Sequence, residues 1–297
     1  TGHLFLDKTL KDSYAKPYRT ITVAQDGSAS FTSIQEAVNS VRAFGPSEVL
    51  IDIKKGVYHE KIVMPSFIHK VTLKGESKEN TIITFDDYAG KINEITQKDF
   101  GTFDSHTLLV LGADVRLENL TIKNESCNQG QAVALHVEGD RFVASNCNIL
   151  GCQDTLYTAT DGGRQYYFNC LIEGTTDFIF GQATVLFENC TIHSKTNSYI
   201  TAASTPKDVE YGYVFKNCQI TATKGLEKVY LGRPWRTYAK TVFINCELGN
   251  HIIEHGWDNW SNPDAEKASF YAEYENSGPG FKPSKRVSII SSNHKLV

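Results

Sequence analysis

The run QYYFNCLIEGTTDFIFGQATVLFENCTI, residues 165–192, holds one short phrase twice, as YYFNCLI and again as LFENCTI. Outward from it the phrase returns as VASNCNI upstream and as VFKNCQI and VFINCEL downstream. Its asparagines are Asn146, Asn169, Asn189, Asn217 and Asn245, at intervals of 23, 20, 28 and 28 residues. RLENLTI places Asn119 another 27 residues upstream, with Leu in the Cys position. One short strand motif in each period of roughly 20–30 residues marks a solenoid, because such a unit cannot bury its apolar face without a neighbour. Leucine-rich repeats would need a dense leucine signature, and these units are instead β-branched and aromatic with no helical period between them. The pattern predicts an all-β fold, a right-handed, single-stranded parallel β-helix. In it each Asn stacks in an amide ladder at a turn and each Cys stacks inside the coil.

A solenoid end exposes strand edges and needs a cap. FTSIQEAVNSVR, residues 31–42, predicts a short N-terminal capping helix, with Ser33 and Glu36 as a capping box and Ile34, Ala37, Val38 and Val41 at helical spacing. The tail after Trp260 contains Pro263, Pro279 and Pro283 and shows no repeat. It is expected to pack on the outside of a single domain, 1–297, whose core runs roughly from 20 to 260. Net charge is −4 with both signs interspersed, which argues against a nucleic-acid patch or a membrane-binding helix. The chain begins at Thr1 and not at Met, which leaves room for a leader removed ahead of it. Seven cysteines are too few for a disulfide scaffold. With no CxxC pair they read as core thiols and not as metal ligands, although a Cys170–Cys190 disulfide between adjacent coils is compatible with their spacing.

The repeat also sets two aspartates in register. Asp154 follows Asn146 by 8 residues and Asp177 follows Asn169 by 8. On parallel strands about 4.8 Å apart the two carboxyls would sit side by side, so one pKa should rise and the pair titrate together. Such a pair suits chemistry in which one carboxylate attacks while the other donates a proton. Gln153 adjoins the first aspartate and Gln131 lies about one coil upstream, where amide donors could meet a developing oxyanion. Arg233 in LGRPW could hold a carboxylate with its fork, and Trp235 beside it offers a flat apolar face. HIIEH, residues 251–255, matches a zinc-binding pattern that requires a helix. Here it follows a strand and ends at Gly256, so a strand or loop without zinc is expected.

The ordered set DGSASFTSIQEAV, GVYHE, QAVAL, QDTLY, DFIFG, LGRPW and GWDNW, from about residue 25 to 260, resembles the pectin methylesterases (pectinesterases), carbohydrate esterases built on a parallel β-helix. The resemblance implies that Asp177 is the nucleophile on the C6 methyl ester of galacturonate and that Asp154 is the general acid and then base. It implies that Gln131 and Gln153 form the oxyanion hole and that Arg233 holds Asp177. Trp235, Tyr157 and Phe180 would line the sugar groove, with Trp257 as a fourth. Pectin is then the implied partner, with no cofactor, metal, nucleic acid or membrane, and a secreted, extracellular monomer is expected. Cys152 ahead of QDTLY departs from the family's usual small or hydrophobic residue.

The same scaffold carries lyases, hydrolases and adhesins, so fold alone does not give function. A lyase would need a calcium-binding carboxylate cluster. A polygalacturonase would need several carboxylates without the flanking amides. The alternative kept open is a non-catalytic polysaccharide-binding protein, which would have no reason to pair Asp154 with Asp177.

Overall fold

The computed structural model describes residues 19–287. Their strands form three parallel sheets of ten, seven and eight strands, in which each strand pairs with its counterpart one coil away. This is the expected parallel β-helix. The Asn of every repeat lies at the turn that ends a strand of the ten-stranded sheet, and all six, Asn119 to Asn245, have φ between 51° and 55°. A left-handed residue bends the chain sharply there, and Asn tolerates that conformation better than other residues with a side chain. The amides also bond along the stack. Asn146 donates to Asn119 (2.7 Å), Asn169 to Asn146 (3.3 Å) and Asn245 to Asn217 (2.6 Å).

Inside the coil each position stacks on its own kind. Ile122, Ile149, Ile172, Ile192, Ile220 and Leu248 stand in register on the eight-stranded sheet, all buried. Phe187, Phe215 and Phe243 stack nearly parallel at 4.5 and 4.4 Å. Cys147, Cys170, Cys190, Cys218 and Cys246 are buried free thiols, so the Cys170–Cys190 disulfide is not made. In-register strands hold stacked Cβ atoms about 4.8 Å apart, beyond the roughly 3.5–4.5 Å a disulfide spans. Their thiols point at backbone carbonyls instead, as Cys190 does at Tyr167 O (3.4 Å). The disulfide present joins Cys127 and Cys152.

The N-terminal end is closed by a helix, Ile34–Asn39, with Ser33 as its cap and Ile34, Ala37 and Val38 buried. The reciprocal half of the expected capping box comes from another coil. Glu60 of GVYHE accepts from Ser33 Oγ (2.8 Å) and from the Ile34 and Gln35 N–H groups (both 3.0 Å). At the other end the tail does not lie along the outside. After a short helix, Pro263–Ala268, the strand Phe270–Tyr274 pairs in register with Lys240–Ile244 as the last strand of the ten-stranded sheet. Glu275, with φ 50°, takes the ladder position, and Asn276 Oδ1 accepts from the Cys246 N–H (2.8 Å). FYAEYENSG is thus a diverged coil that covers the edge an open solenoid would expose. Arg286 then anchors the segment beyond it through a buried pair with Glu273 (2.6 Å) and bonds to the carbonyls of Ile253, Glu254 and Gly280. Residues 288–297 of the expected tail lie outside the described residues.

Replacing Asn146 by Ala should destabilise the fold by about 2–3 kcal/mol, from the left-handed backbone and the lost amide bonds together. Asn146→Gly should cost roughly 1 kcal/mol, since glycine keeps the conformation. Urea unfolding of the two variants measures the difference.

Candidate active site

The seven-stranded sheet carries on its outer face one row in register: Val63, Leu109, His136, Tyr157, Phe180, Ala202 and Arg233. Tyr157 and Phe180 stack at 4.7 Å, Phe103 lies 4.9 Å from Tyr157, and Trp235 lies 5.9 Å from Phe180. The result is an aromatic floor on the outside of the coil. Gly181 ends DFIFG because its φ is 124° and a Cβ there would come within 2.1 Å of Thr158 O.

Asp154 and Asp177 sit beside this floor, on the turns through which the chain enters the strands Leu156–Thr158 and Ile179–Gly181. Leu156 pairs with Ile179, so the aspartates two residues earlier occupy equivalent places on adjacent coils. Both have left-handed backbone, φ 64° and 48°, and the strand ladder holds them there. Asp154 N–H bonds Thr176 O (3.1 Å), and Asp177 N–H bonds Tyr199 O (2.8 Å).

Their electrostatics differ. Arg233 grips Asp177 with two bonds, Nε to Oδ1 at 2.9 Å and Nη2 to Oδ2 at 2.6 Å, and the pair is largely buried. The guanidinium itself is sandwiched, 3.6 Å from the Trp260 ring and 3.9 Å from that of Tyr199. Burial pushes the Asp177 carboxyl up and Asp258 adds to the push, while the bonds and charge of Arg233 oppose it. Asp154 has no such fork. Burial, with the Asp177 charge adding to it, pushes its carboxyl up to about 8, against a weaker pull from Arg233. The pair is therefore unequal: Asp154 is held protonated at neutral pH, while Asp177 is the carboxyl that Arg233 binds.

Gln131 and Gln153 lie on neighbouring coils, joined by Ala132 N–H to Gln153 O (3.0 Å). Both are half-buried, and among the described residues neither side-chain amide bonds a protein acceptor. Two amides with free donors thus lie on or next to the coils that carry two unequal carboxyls, one bound by Arg233 and the other kept protonated. The arrangement can support attack on a carbonyl, hold the resulting oxyanion and protonate a leaving group.

One expected groove residue is placed elsewhere. Trp257 bridges Gly232 and so continues the inward row of Ile179 and Thr201. It is 2 % exposed and stacked on Tyr271 at 4.3 Å, so its face is closed to a sugar. Of the two tryptophans in GWDNW, the one that reaches the site is Trp260, over the Arg233 guanidinium. Tyr199, Phe103 and His136 were also missed; the register would have found Tyr199, one coil beyond Asp177, whereas Phe103 sits on a loop with no repeat. The stretch His251–His255 runs as turn and bridge, with His251 buried and His255 exposed, so the two imidazoles share no helix face.

Three comparisons bear on this geometry. A family model described as Pectinesterase matches residues 20–296. Pectinesterase 31 of Arabidopsis thaliana is 38% identical over 274 residues, 91% of this chain and 86% of that one. A probable pectinesterase/pectinesterase inhibitor of Brassica napus is 37% identical over 90% of this chain, which spans only 47% of that longer protein. Among solved structures, the pectin methylesterase from carrot is similar at 33% identity with a TM-score of 0.83, covering 90% of this chain and 85% of that one. A pectin methylesterase in complex with a hexasaccharide follows at 28% identity and a TM-score of 0.77, covering 93% and 98%.

A carboxyl held protonated by burial lowers stability as pH rises. The unfolded chain releases the Asp154 proton near pH 4 and the folded chain only near 8, so stability is full below about 4 and declines between the two. Asp154→Asn removes this linkage. Its Tm should exceed that of the parent by a margin that is absent below pH 4 and widens from pH 5 to 8, as followed by thermal unfolding across that range.

Proposed function

Because this chain belongs to the pectinesterase family of carbohydrate esterases, we propose that it hydrolyses the C6 methyl esters of homogalacturonan to methanol and pectate. The observation that carries the residue assignment is the unequal carboxyl pair, one gripped by Arg233 and the other pushed up to about 8. The Asp177 carboxylate attacks the ester carbonyl, and the tetrahedral oxyanion takes hydrogen bonds from the amides of Gln131 and Gln153. As the intermediate collapses, Asp154 gives its proton to the departing methoxide, so methanol leaves neutral and an acyl anhydride remains on Asp177. Asp154, now a carboxylate, takes a proton from water. The hydroxide so formed adds to the anhydride carbonyl, and collapse frees Asp177 as its carboxylate, leaves Asp154 protonated for the next cycle and releases the galacturonic acid, whose remaining proton passes to solvent.

Arg233 holds Asp177 in its attacking orientation, and the Tyr199–Trp260 sandwich fixes Arg233. The aromatic floor of Phe103, Tyr157, Phe180 and Trp235 gives apolar faces on which sugar rings can stack. A polysaccharide-binding protein without chemistry would use that floor but would gain nothing from a buried, destabilising Asp154. A single domain acting as a secreted monomer belongs to the same reading.

Methanol release from highly methylated pectin, in calcium-free buffer with an enzyme-free blank, tests it. The parent chain should release methanol, and Asp177→Ala should lose roughly 10⁴-fold or more in kcat. Wild-type turnover by that variant would refute the nucleophile assignment. Because Asp154 must start each cycle protonated, kcat/KM should fall about tenfold per pH unit above pH 8. A profile still flat at pH 9.5 would remove Asp154 as the acid.

A further inference from the structure

Gln131 and Gln153 are positioned by different means. Gln153 rides on the turn 151–155, which the strand ladder fastens: Gly151 N–H bonds Glu173 O (3.2 Å), and Thr155 Oγ1 bonds both Cys152 O (3.0 Å) and Glu173 O (3.1 Å). Lys195 adds a bond to Gly151 O (3.1 Å) and an ion pair with Glu173 (3.3 Å). Gln131 instead rides on the irregular segment between the strands Thr121–Asn124 and Leu135–Val137. That segment is fastened at both ends. Asn124 holds Asp87 O, Ser105 O and Val133 O with its amide and accepts from Ser126 N–H, while Ser105 Oγ accepts from Val133 N–H. Between these ends Asn128 and Gln129 are exposed; Gln131 O accepts from Ala89 N–H (2.8 Å) and Ala132 N–H bonds Gln153 O (3.0 Å), so the loosely held part is the stretch that leads into Gln131.

The Cys127–Cys152 disulfide lies in this gap, outside the stack of the five free thiols. One of its sulfurs is four residues from Gln131 and the other is next to Gln153. We propose that this disulfide is a positioning device for the reaction, tying the loop that carries Gln131 to the ladder-fixed turn that carries Gln153 so that both amides aim at one oxyanion. The inference rests on the ester-hydrolysis reading above. A purely structural crosslink would raise stability by limiting the unfolded chain and leave turnover of the folded enzyme unchanged. A positioning crosslink acts on kcat, since donors displaced by about 1 Å cost roughly 10²-fold.

The test compares methanol release by the oxidised chain, by the same chain reduced under native conditions with dithiothreitol, and by Cys127→Ala/Cys152→Ala. In the reduction dithiothreitol gives up two hydrogens and closes to its cyclic disulfide, while Cys127 and Cys152 become two thiols, counted by thiol titration. Breaking the crosslink should lower kcat about 10- to 100-fold with KM changed less than about twofold. Reoxidation should restore the parent, and the Ala pair should not respond to dithiothreitol. In a Gln131→Ala background the same reduction should lower kcat by less than about twofold, because the donor it aims is gone. Unchanged kcat in the reduced chain, or an undiminished loss in the Gln131→Ala background, overturns the proposal. Should the Ala pair fail to fold, the reversible reduction of the folded parent decides alone. No methanol from the oxidised parent would overturn the ester-hydrolysis reading itself, and this inference with it.

Discussion

The structure depends on strands that pair in register from coil to coil, with an Asn at a left-handed turn pinning that register. A one-residue slip in a parallel strand would exchange its inner and outer side chains. It would break the Ile stack, the Phe stack and the amide bonds together. The same register decides which side chains stand next to each other on the outside. Asp154 and Asp177 are neighbours because Leu156 and Ile179 are neighbours, and Tyr157 lies on Phe180 for the same reason. A regular core thus specifies an irregular surface site.

What the scaffold brings together, electrostatics then divides. Two carboxyls on adjacent strands would be equivalent if their surroundings were equivalent, and such a pair would share its charge between them. Arg233 breaks the symmetry. It comes from the same outer row, two coils past Phe180, and its two bonds go to Asp177 alone. The asymmetry lowers stability at Asp154, a carboxyl kept neutral by burial. Residues that strain a fold without serving its packing are concentrated where chemistry occurs.

Legibility in the sequence followed the repeat. Asn146 and Asn169 were enough to set Asp154 beside Asp177, and Ser33 was enough to start the helix at Ile34. Trp257 was misread, and Trp260 given no role, because no repeat motif marks the register of the coil that follows the Gly232 strand. Trp257 continues the inward row one coil beyond Gly232, and Trp260 emerges beside Arg233. The last coil was missed because Glu275 and Asn276 stand where Asn and Cys would have marked it, although the backbone geometry is kept. Phe103 and the Cys127–Cys152 disulfide were not legible at all. They lie on segments whose place is set by contacts made only after the coils have formed.

That division explains where the extra fastenings occur. Side chains in the ladder, such as Tyr157, Phe180 and the two aspartates, need no special support because hydrogen bonds to neighbouring coils fix their backbone. Two further groups are held by something additional: the long Arg233 side chain, whose backbone is in the ladder, by two aromatic faces, and the Gln131 loop, which lies outside it, by the three-acceptor amide of Asn124 and by a disulfide. A solenoid is strong along its axis and leaves its loops free. A site that needs angstrom precision from both must stiffen the loops separately, and the fastenings around Gln131 are where this chain does so.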